Sequence, residues 1–412
     1  MGTRFDVVIV GGGPAGLTAA RVLGDAGATV LVVEKDREIG EPVRTSGGTW
    51  IRDMAANGIP PDLYHPCRRI RLVTARSEAT FEHQEAEVCV LDVRRTYRYL
   101  ASRSIRAGAS VRTGTTLQAL STRKDHPSGA VLRHASGRIE HVQAEVVVDA
   151  SGYAARPSRR FGVPMGPRIY GLGVEEELEA PAYDQDEAVL ILGRGFAPDG
   201  YAWAFPCGRG RVRVGVGVPL HASGPRPAEL LRRLRSESAH LREALAGARR
   251  VEVHRGIVPF SAPSEPLVWN GLVRVGDAAG QVSALAGEGI RLAMDAGAMA
   301  GRAITGALED GGPGSARLRE YERSWRRSRG GELRAAYRVH RRLLGQTDAD
   351  WERLGRALRP LGAEQIDRLL RSRYSAAWLM GVVMRSPRTI PVGIGLVRPR
   401  RQAPHPERSM SA

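Results

Sequence analysis

Lysine is nearly missing from this chain of 412 residues: of its 61 basic side chains only Lys35 and Lys124 are lysine, and the rest are arginine. The skew reads as coding bias rather than as selection for arginine chemistry. Cysteine is scarce too. Cys67, Cys89 and Cys207 lie far apart and form no C-x-x-C pair, so neither a zinc site nor a disulfide framework is indicated. Aromatic residues make up 5% of the chain and no nucleic-acid-recognition motif accompanies the basic charge, which argues against nucleic acid as a partner. No apolar run approaches the ~20 residues of a membrane-spanning helix. No signal peptide precedes the first strand-like run, so a cytoplasmic location is expected, with peripheral membrane contact as an alternative.

Positive charge is present in quantity. The formal net charge is +17 and 42% of residues are hydrophobic. Such a field draws in anionic ligands or an anionic membrane surface, and the length suggests two or three units, each with its own core.

The densest signal is Phe5 to Lys35, FDVVIVGGGPAGLTAARVLGDAGATVLVVEK. A β-branched run meets a glycine turn, a helical pattern follows, and a second β-rich run ends at Glu34. Gly11 permits the tight turn, Gly13 lets backbone approach a pyrophosphate, and Gly16 lets helix and strand pack closely. The helix start, with Ala15 in its first turn, offers free N–H groups and a positive dipole end to phosphates. Glu34, eighteen residues past Gly16, stands where a carboxylate accepts hydrogen bonds from a ribose diol. A structural glycine turn in another βαβ unit is the plainer reading, and it leaves Glu34 without a purpose.

Further strand-like runs at 88–92, 146–149 and 272–275, with helical patterns at 94–107 and 287–308, are expected to join this unit into one discontinuous α/β domain covering 1–165 and 260–312. Short alternating runs within 166–259 predict a separate antiparallel sheet that serves the substrate. A helical region is expected over 313–397. It holds ten arginines between Arg317 and Arg342, read as a solvated helix face or as a contact for a membrane or anionic substrate. The apolar stretch 376–384 is read as core packing or as a tunnel lid, and the Pro-rich polar tail 398–412 as disordered.

A second signal is Gly276-Asp277-Ala278, followed by Ala286-Gly287-Glu288-Gly289-Ile290 opening a helix. Asp277, at a strand end, can accept from ribityl hydroxyls. The helix start at Gly287, Gly289 and Ile290 can stabilise negative charge on a reduced flavin. Together with Asp149-Ala150-Ser151-Gly152, these motifs resemble those of the FAD-dependent aromatic-hydroxylase-like flavoprotein superfamily, in its order, over about residues 5 to 310. That resemblance implies an α/β fold: a Rossmann-like FAD-binding domain, an antiparallel β-sheet substrate domain and a C-terminal helical region.

Within the superfamily, Tyr201-Ala202-Trp203-Ala204-Phe205-Pro206, then eight residues, then Gly215-Val216-Gly217, resembles the signature of geranylgeranyl reductases. Tyr201, Trp203 and Phe205 alternate, so on a strand they share one face. They read as an aromatic, substrate-facing wall or as a ladder that stabilises the sheet. The run from Gly40 to Gly48 resembles the loop that approaches the flavin in these reductases, which makes Arg44, Thr45 and Gly48 candidate contacts. Thr45 stands where many relatives have a cysteine, and its hydroxyl is too weak an acid to replace a thiol as proton donor. Arg94 is a candidate flavin contact shifted by one position, and Leu117 matches a position on the adenosine side.

The resemblance implies an FAD-dependent oxidoreductase that reduces carbon–carbon double bonds of an isoprenoid or related apolar substrate, with an anionic head group matching the field. Tyr201 or ordered water is the expected proton source. No second G-x-G-x-x-G follows a strand, so NAD(P)H or another electron donor is expected to act transiently. An FAD-dependent monooxygenase using NAD(P)H and O2 is the alternative. A halogenase ranks lower, because that family depends on a tunnel lysine and neither lysine fits. A flavoprotein without turnover is a further alternative.

Overall fold

In a computed structural model, residues 3–166, 169–220, 224–260, 266–310 and 315–373 are described, together with positions 378 and 381. The stretch at 376–384 falls almost entirely outside these residues, and the tail at 398–412 does so completely.

Strand β1 (Thr3–Val10), helix α1 (Pro14–Asp25) and strand β2 (Val30–Val33) form a parallel βαβ unit. All four residues of β2 are buried, as a strand covered on both faces requires. The unit belongs to an eight-stranded sheet in which Ile139–Asp149 flanks β1, Leu272–Arg274 lies beyond it and Ser110–Arg112 pairs with β2, all in parallel. The long helix Ile290–Glu309 packs against α1. It can approach because Gly297 faces the carbonyl oxygen of Ala15, where a Cβ would come within 2.2 Å.

The second sheet has seven strands, in the order Arg249–Pro259, Tyr170–Glu179, Arg211–Pro219, Tyr201–Gly208, Glu187–Ile191, Arg69–Val73 and Glu78–Glu82. Its last two strands come from inside the 1–165 segment, so residues 166–259 do not build it alone. The Arg69–Val73 strand joins in parallel, and the other ladders are antiparallel. Val88–Leu91, expected in the first sheet, instead pairs with Gly48–Trp50 and Tyr64–Cys67 in a small third sheet. The reason is local: Gly48–Trp50 continues directly from the Gly40–Gly48 loop and offers it an antiparallel partner.

The helices Ser315–Trp325, Gly331–Leu343, Asp348–Leu358 and Ala363–Leu370 follow. Two of them close over the seven-stranded sheet, with Leu361 and Ile366 packing against Ile70, Leu72 and Phe81. No helix among the described residues is long and apolar enough to cross a membrane.

Candidate functional site

The glycine turn sorts its members by what surrounds them. Gly11 has φ +119°, and a Cβ there would lie 2.1 Å from the carbonyl oxygen of Ala150. A Cβ on Gly16 would meet the Gly11 carbonyl at 2.2 Å. Both are therefore required by packing. Gly13 differs: it caps α1, and nothing lies within 4 Å of its Cβ position. A bare backbone beside open space at a helix N-terminus fits a pyrophosphate. Ala15 is buried, 3.1 Å from the Cβ position of Gly276, and so seats the turn against the loop at Asp277.

Glu34 follows β2 directly. Its Oε2 accepts from the Gly12 N–H at 2.8 Å and its Oε1 from the Asp36 N–H at 3.0 Å. These bonds fix the carboxylate beside the turn and leave lone pairs for ribose hydroxyls. Asp149, fully buried, accepts from the N–H and hydroxyl of Ser151 and from the N–H of Ser158. The Asp-Ala-Ser-Gly run therefore clasps the loop that meets Gly11.

The second half of the site is the loop pair Arg44–Gly48 and Asp277–Gly289. Gly289 caps the helix that Ile290 begins, and a Cβ on Gly289 would lie 3.5 Å from Oδ1 of Asp277. Gly287 has φ +62° and lies against the Tyr201 hydroxyl and the Phe260 ring. Thr45, Gly48, Gly287, Gly289 and Ile290 line one end of a cavity of about 320 Å³. From there the cavity runs between the seven-stranded sheet and the C-terminal helices, past Leu72, Leu190, Leu354, Leu358 and Leu370. Its walls are mostly aliphatic. The residues at the turn, the loops and the helix start fit an FAD, which they would hold by its phosphates, ribose and ring edge.

The signature strand divides in role. Tyr201 and Phe205 line the cavity, whereas Trp203 does not. Trp203 is 7% exposed, tilted against Tyr201 at a centroid distance of 5.7 Å and stacked on Phe205 at 6.2 Å. It lies opposite Gly215, and Tyr201 opposite Gly217. A Cβ on Gly215 would come 2.3 Å from the indole, so the glycines of the signature make room for that ring. The expected three-residue wall is a two-residue wall braced by a tryptophan. Nor is Tyr201 free to give up its proton. It donates to the Ala286 carbonyl at 2.5 Å, and burial pushes its pKa well above the ordinary value.

Three further expected contacts are engaged within the protein. Arg94 is bound by the carboxylates of Glu41 and Glu252, so its guanidinium ties the Gly40–Gly48 loop to the Arg249–Pro259 strand. Arg44 pairs with Asp36 at 2.9 Å, while its carbonyl oxygen would lie 2.1 Å from a Cβ on Gly256. Leu117 is buried with Leu31, Val33 and Leu132, as a core residue of the first sheet.

Sequence reasoning passed over Glu288, Trp50 and His340, all of which line the cavity. The guanidinium groups of Arg291 and Arg371 lie over the Trp50 ring, 5.6 and 5.3 Å from its centre. His340 is pushed down to about 4 by burial and is neutral near pH 7. Glu288 had a signal, its place between two glycines already assigned to the cofactor.

Comparison with known proteins agrees with this geometry. The family model described as lycopene cyclase protein matches residues 6–393. The digeranylgeranylglycerophospholipid reductase 2 of Methanothermobacter thermautotrophicus is 33% identical over 376 residues, spanning 90% of this chain and 91% of that protein. The corresponding reductase of Methanosarcina mazei is 31% identical, spanning 90% and 92%. In fold, the chain is similar to a geranylgeranyl bacteriochlorophyll reductase-like protein from Thermoplasma acidophilum. The TM-score is 0.85 at 23% identity, over 96% of this chain and 100% of that one. With the glycine turn, the two cofactor loops and the braced signature strand in place, the chain belongs to the geranylgeranyl reductase family of FAD-dependent oxidoreductases.

Proposed function

We infer that this enzyme reduces isolated carbon–carbon double bonds in an isoprenoid chain, carried by a diphosphate or a glycerophospholipid. One observation carries the reading: the aliphatic cavity begins at the cofactor loops and runs away from them under the C-terminal helices. Bound and reduced, FAD supplies a hydride to one carbon of the double bond. The protein's part is placement and exclusion of water, because an unactivated alkene accepts hydride only when closely held. Tyr201 and Phe205 press the chain towards the Thr45–Gly48 loop, and the leucines beyond hold its tail.

Gly11, Gly13, Ala15, Gly16 and Glu34 hold the pyrophosphate and ribose in this reading. Asp277, Gly287, Gly289 and Ile290 hold the ribityl chain and the flavin edge. Residues 1–165 and 260–312 would serve the cofactor, with 166–259 supplying most of the substrate sheet. NAD(P)H or another electron donor reduces the flavin in a transient encounter. The +17 charge favours an anionic substrate head group and peripheral contact with an anionic membrane.

The test is anaerobic. The FAD-loaded full chain is reduced with dithionite and mixed with geranylgeranyl diphosphate or a digeranylgeranyl glycerophospholipid. Reoxidation without O2, with hydrogen added to the product, supports the reading. A flavin that reoxidises only when O2 is admitted, with oxygen in the product, replaces it with the monooxygenase.

A further inference from the structure

Reduction of an alkene needs an acid as well as a hydride, and Thr45 is not one. Among the described cavity-lining residues, the other hydroxyls are equally weak acids, and the Tyr201 proton is committed to the Ala286 carbonyl. Neutral His340 has no acidic imidazolium proton to give. Asp199 accepts from the Gly345 N–H at 2.6 Å and pairs with Arg194, so it is occupied near Gly345. Glu288 remains. It stands between the two glycines at the cofactor end of the cavity, with its side chain 5% exposed.

Its surroundings let it hold a proton. Oε2 lies 3.0 Å from Nε of Arg291, but the N–H is not aimed at it and this oxygen accepts no hydrogen bond. The same guanidinium donates to Oε1 of Glu332 at 2.7 Å. Glu332 also has Arg329 at 3.2 Å and Arg373 at 3.9 Å, while Asp53 is paired with Arg371 at 2.5 Å. One cation is thus shared by two carboxylates, and Glu332 has the additional arginines. Burial raises the pKa of Glu288, Arg291 lowers it, and Asp53 and Glu332 raise it again; the balance is upward. The helix start at Ile290 favours the ionised form and opposes part of that rise.

We propose that Glu288 is the catalytic acid of the reduction. Its O–H bond breaks and the proton goes to one carbon of the double bond, while the other carbon takes the hydride that the reductase reaction supplies. The carboxylate left behind regains a proton from solvent. This proposal rests on the reductase reading.

The experiment compares wild type, Glu288→Gln and Glu332→Gln, each FAD-loaded and reduced anaerobically, with geranylgeranyl diphosphate as the probe. Wild-type reoxidation should be fast at low pH and decline as pH rises through the Glu288 pKa. Glu288→Gln should keep its flavin spectrum and bind the probe normally, yet reoxidise at least about 100-fold more slowly, with the alkaline decline gone. Glu332→Gln leaves Arg291 to Glu288 alone, so its decline should move to lower pH. Difference infrared spectra across the same pH range should show a carboxylic C=O band that Glu288→Gln lacks, a readout independent of turnover. Reoxidation of Glu288→Gln within about threefold of wild type, or an unchanged infrared band, overturns the proposal and leaves the reductase reading standing. Wild type that neither this probe nor a digeranylgeranyl glycerophospholipid reoxidises overturns both.

Discussion

The indole Nε1 of Trp203 donates to Oε2 of Glu175 at 2.9 Å. Oε1 of the same carboxylate is 2.8 Å from Nδ1 of His254, and Nε2 of that imidazole is 3.3 Å from Glu252. Glu252 binds Arg94, which also binds Glu41. A polar chain, buried at its tryptophan end and half-buried beyond His254, therefore runs from the signature tryptophan to the loop that presents Thr45 to the cavity. Trp203→Phe should leave Glu175 without one donor and lower stability by about 1–3 kcal/mol. Gly215→Ala, which drives a methyl group into the indole, should cost a similar amount through overpacking. Denaturant titration of both variants checks this; unchanged midpoints would return Trp203 to a passive place in the sheet.

Gly13 and Gly11 should separate cofactor binding from folding. Gly13→Val adds bulk only to open space, so the apoprotein should melt within a few degrees of wild type yet retain FAD at least about 100-fold more weakly. Gly11→Ala meets the Ala150 carbonyl and a positive φ, and should lower the melting temperature of the apoprotein itself. Full yellow colour in purified Gly13→Val would refute the pyrophosphate assignment.

Tyr201→Phe removes the bond to the Ala286 carbonyl. If the phenol is an anchor and not the acid, stability should fall by about 1 kcal/mol. Turnover should drop modestly, and the pH dependence of reoxidation should keep its alkaline decline. A lost decline in this variant would make Tyr201 the proton source.

His340 makes acid stability a test of burial. Its pKa is about 4 in the folded protein, below an ordinary value near 6.5. The unfolded chain therefore takes up the proton first, and stability present above about pH 6.5 is lost as pH falls towards 4. The loss attributable to this group is about 3 kcal/mol. His340→Phe should flatten that part of the stability profile, measured by denaturant titration at each pH. A profile as steep as wild type would mean that other groups set the acid limb.

The glycine turn was legible because its members answer to local geometry: a tight turn, a close strand and an open approach lie within one short stretch of chain. The alternation of Tyr201, Trp203 and Phe205 placed them on one face, as found. It could not tell which ring the opposite strand would swallow, since Gly215 decides that through the ladder. The ion pairs of Arg94 were hidden for a similar reason. Its partners are Glu41 and Glu252, and the second is 158 residues away in the chain. The strand at Val88–Leu91 carried the right residues for a buried strand, but partner choice depends on Gly48–Trp50, a segment too short to announce itself. Glu288 was visible as a letter in a glycine motif, and its raised pKa comes from burial first and then from Asp53 and Glu332, all set by packing remote in the chain.

The sheet under the cavity has an edge built from residues 69–82, a centre from 170–219 and its far strand from 249–259. Such interleaving makes the enzyme indivisible during synthesis. Until the ribosome has delivered residue 191, the Arg69–Val73 strand has no partner on its inner side and stands as an open edge, the kind of surface that recruits other chains. Cutting the protein at the borders of 166–259 would strand Glu187–Ile191 in the same exposed condition. Expression of the isolated sheet segment is thus expected to end in aggregates, and cofactor loading has to wait for nearly the whole chain.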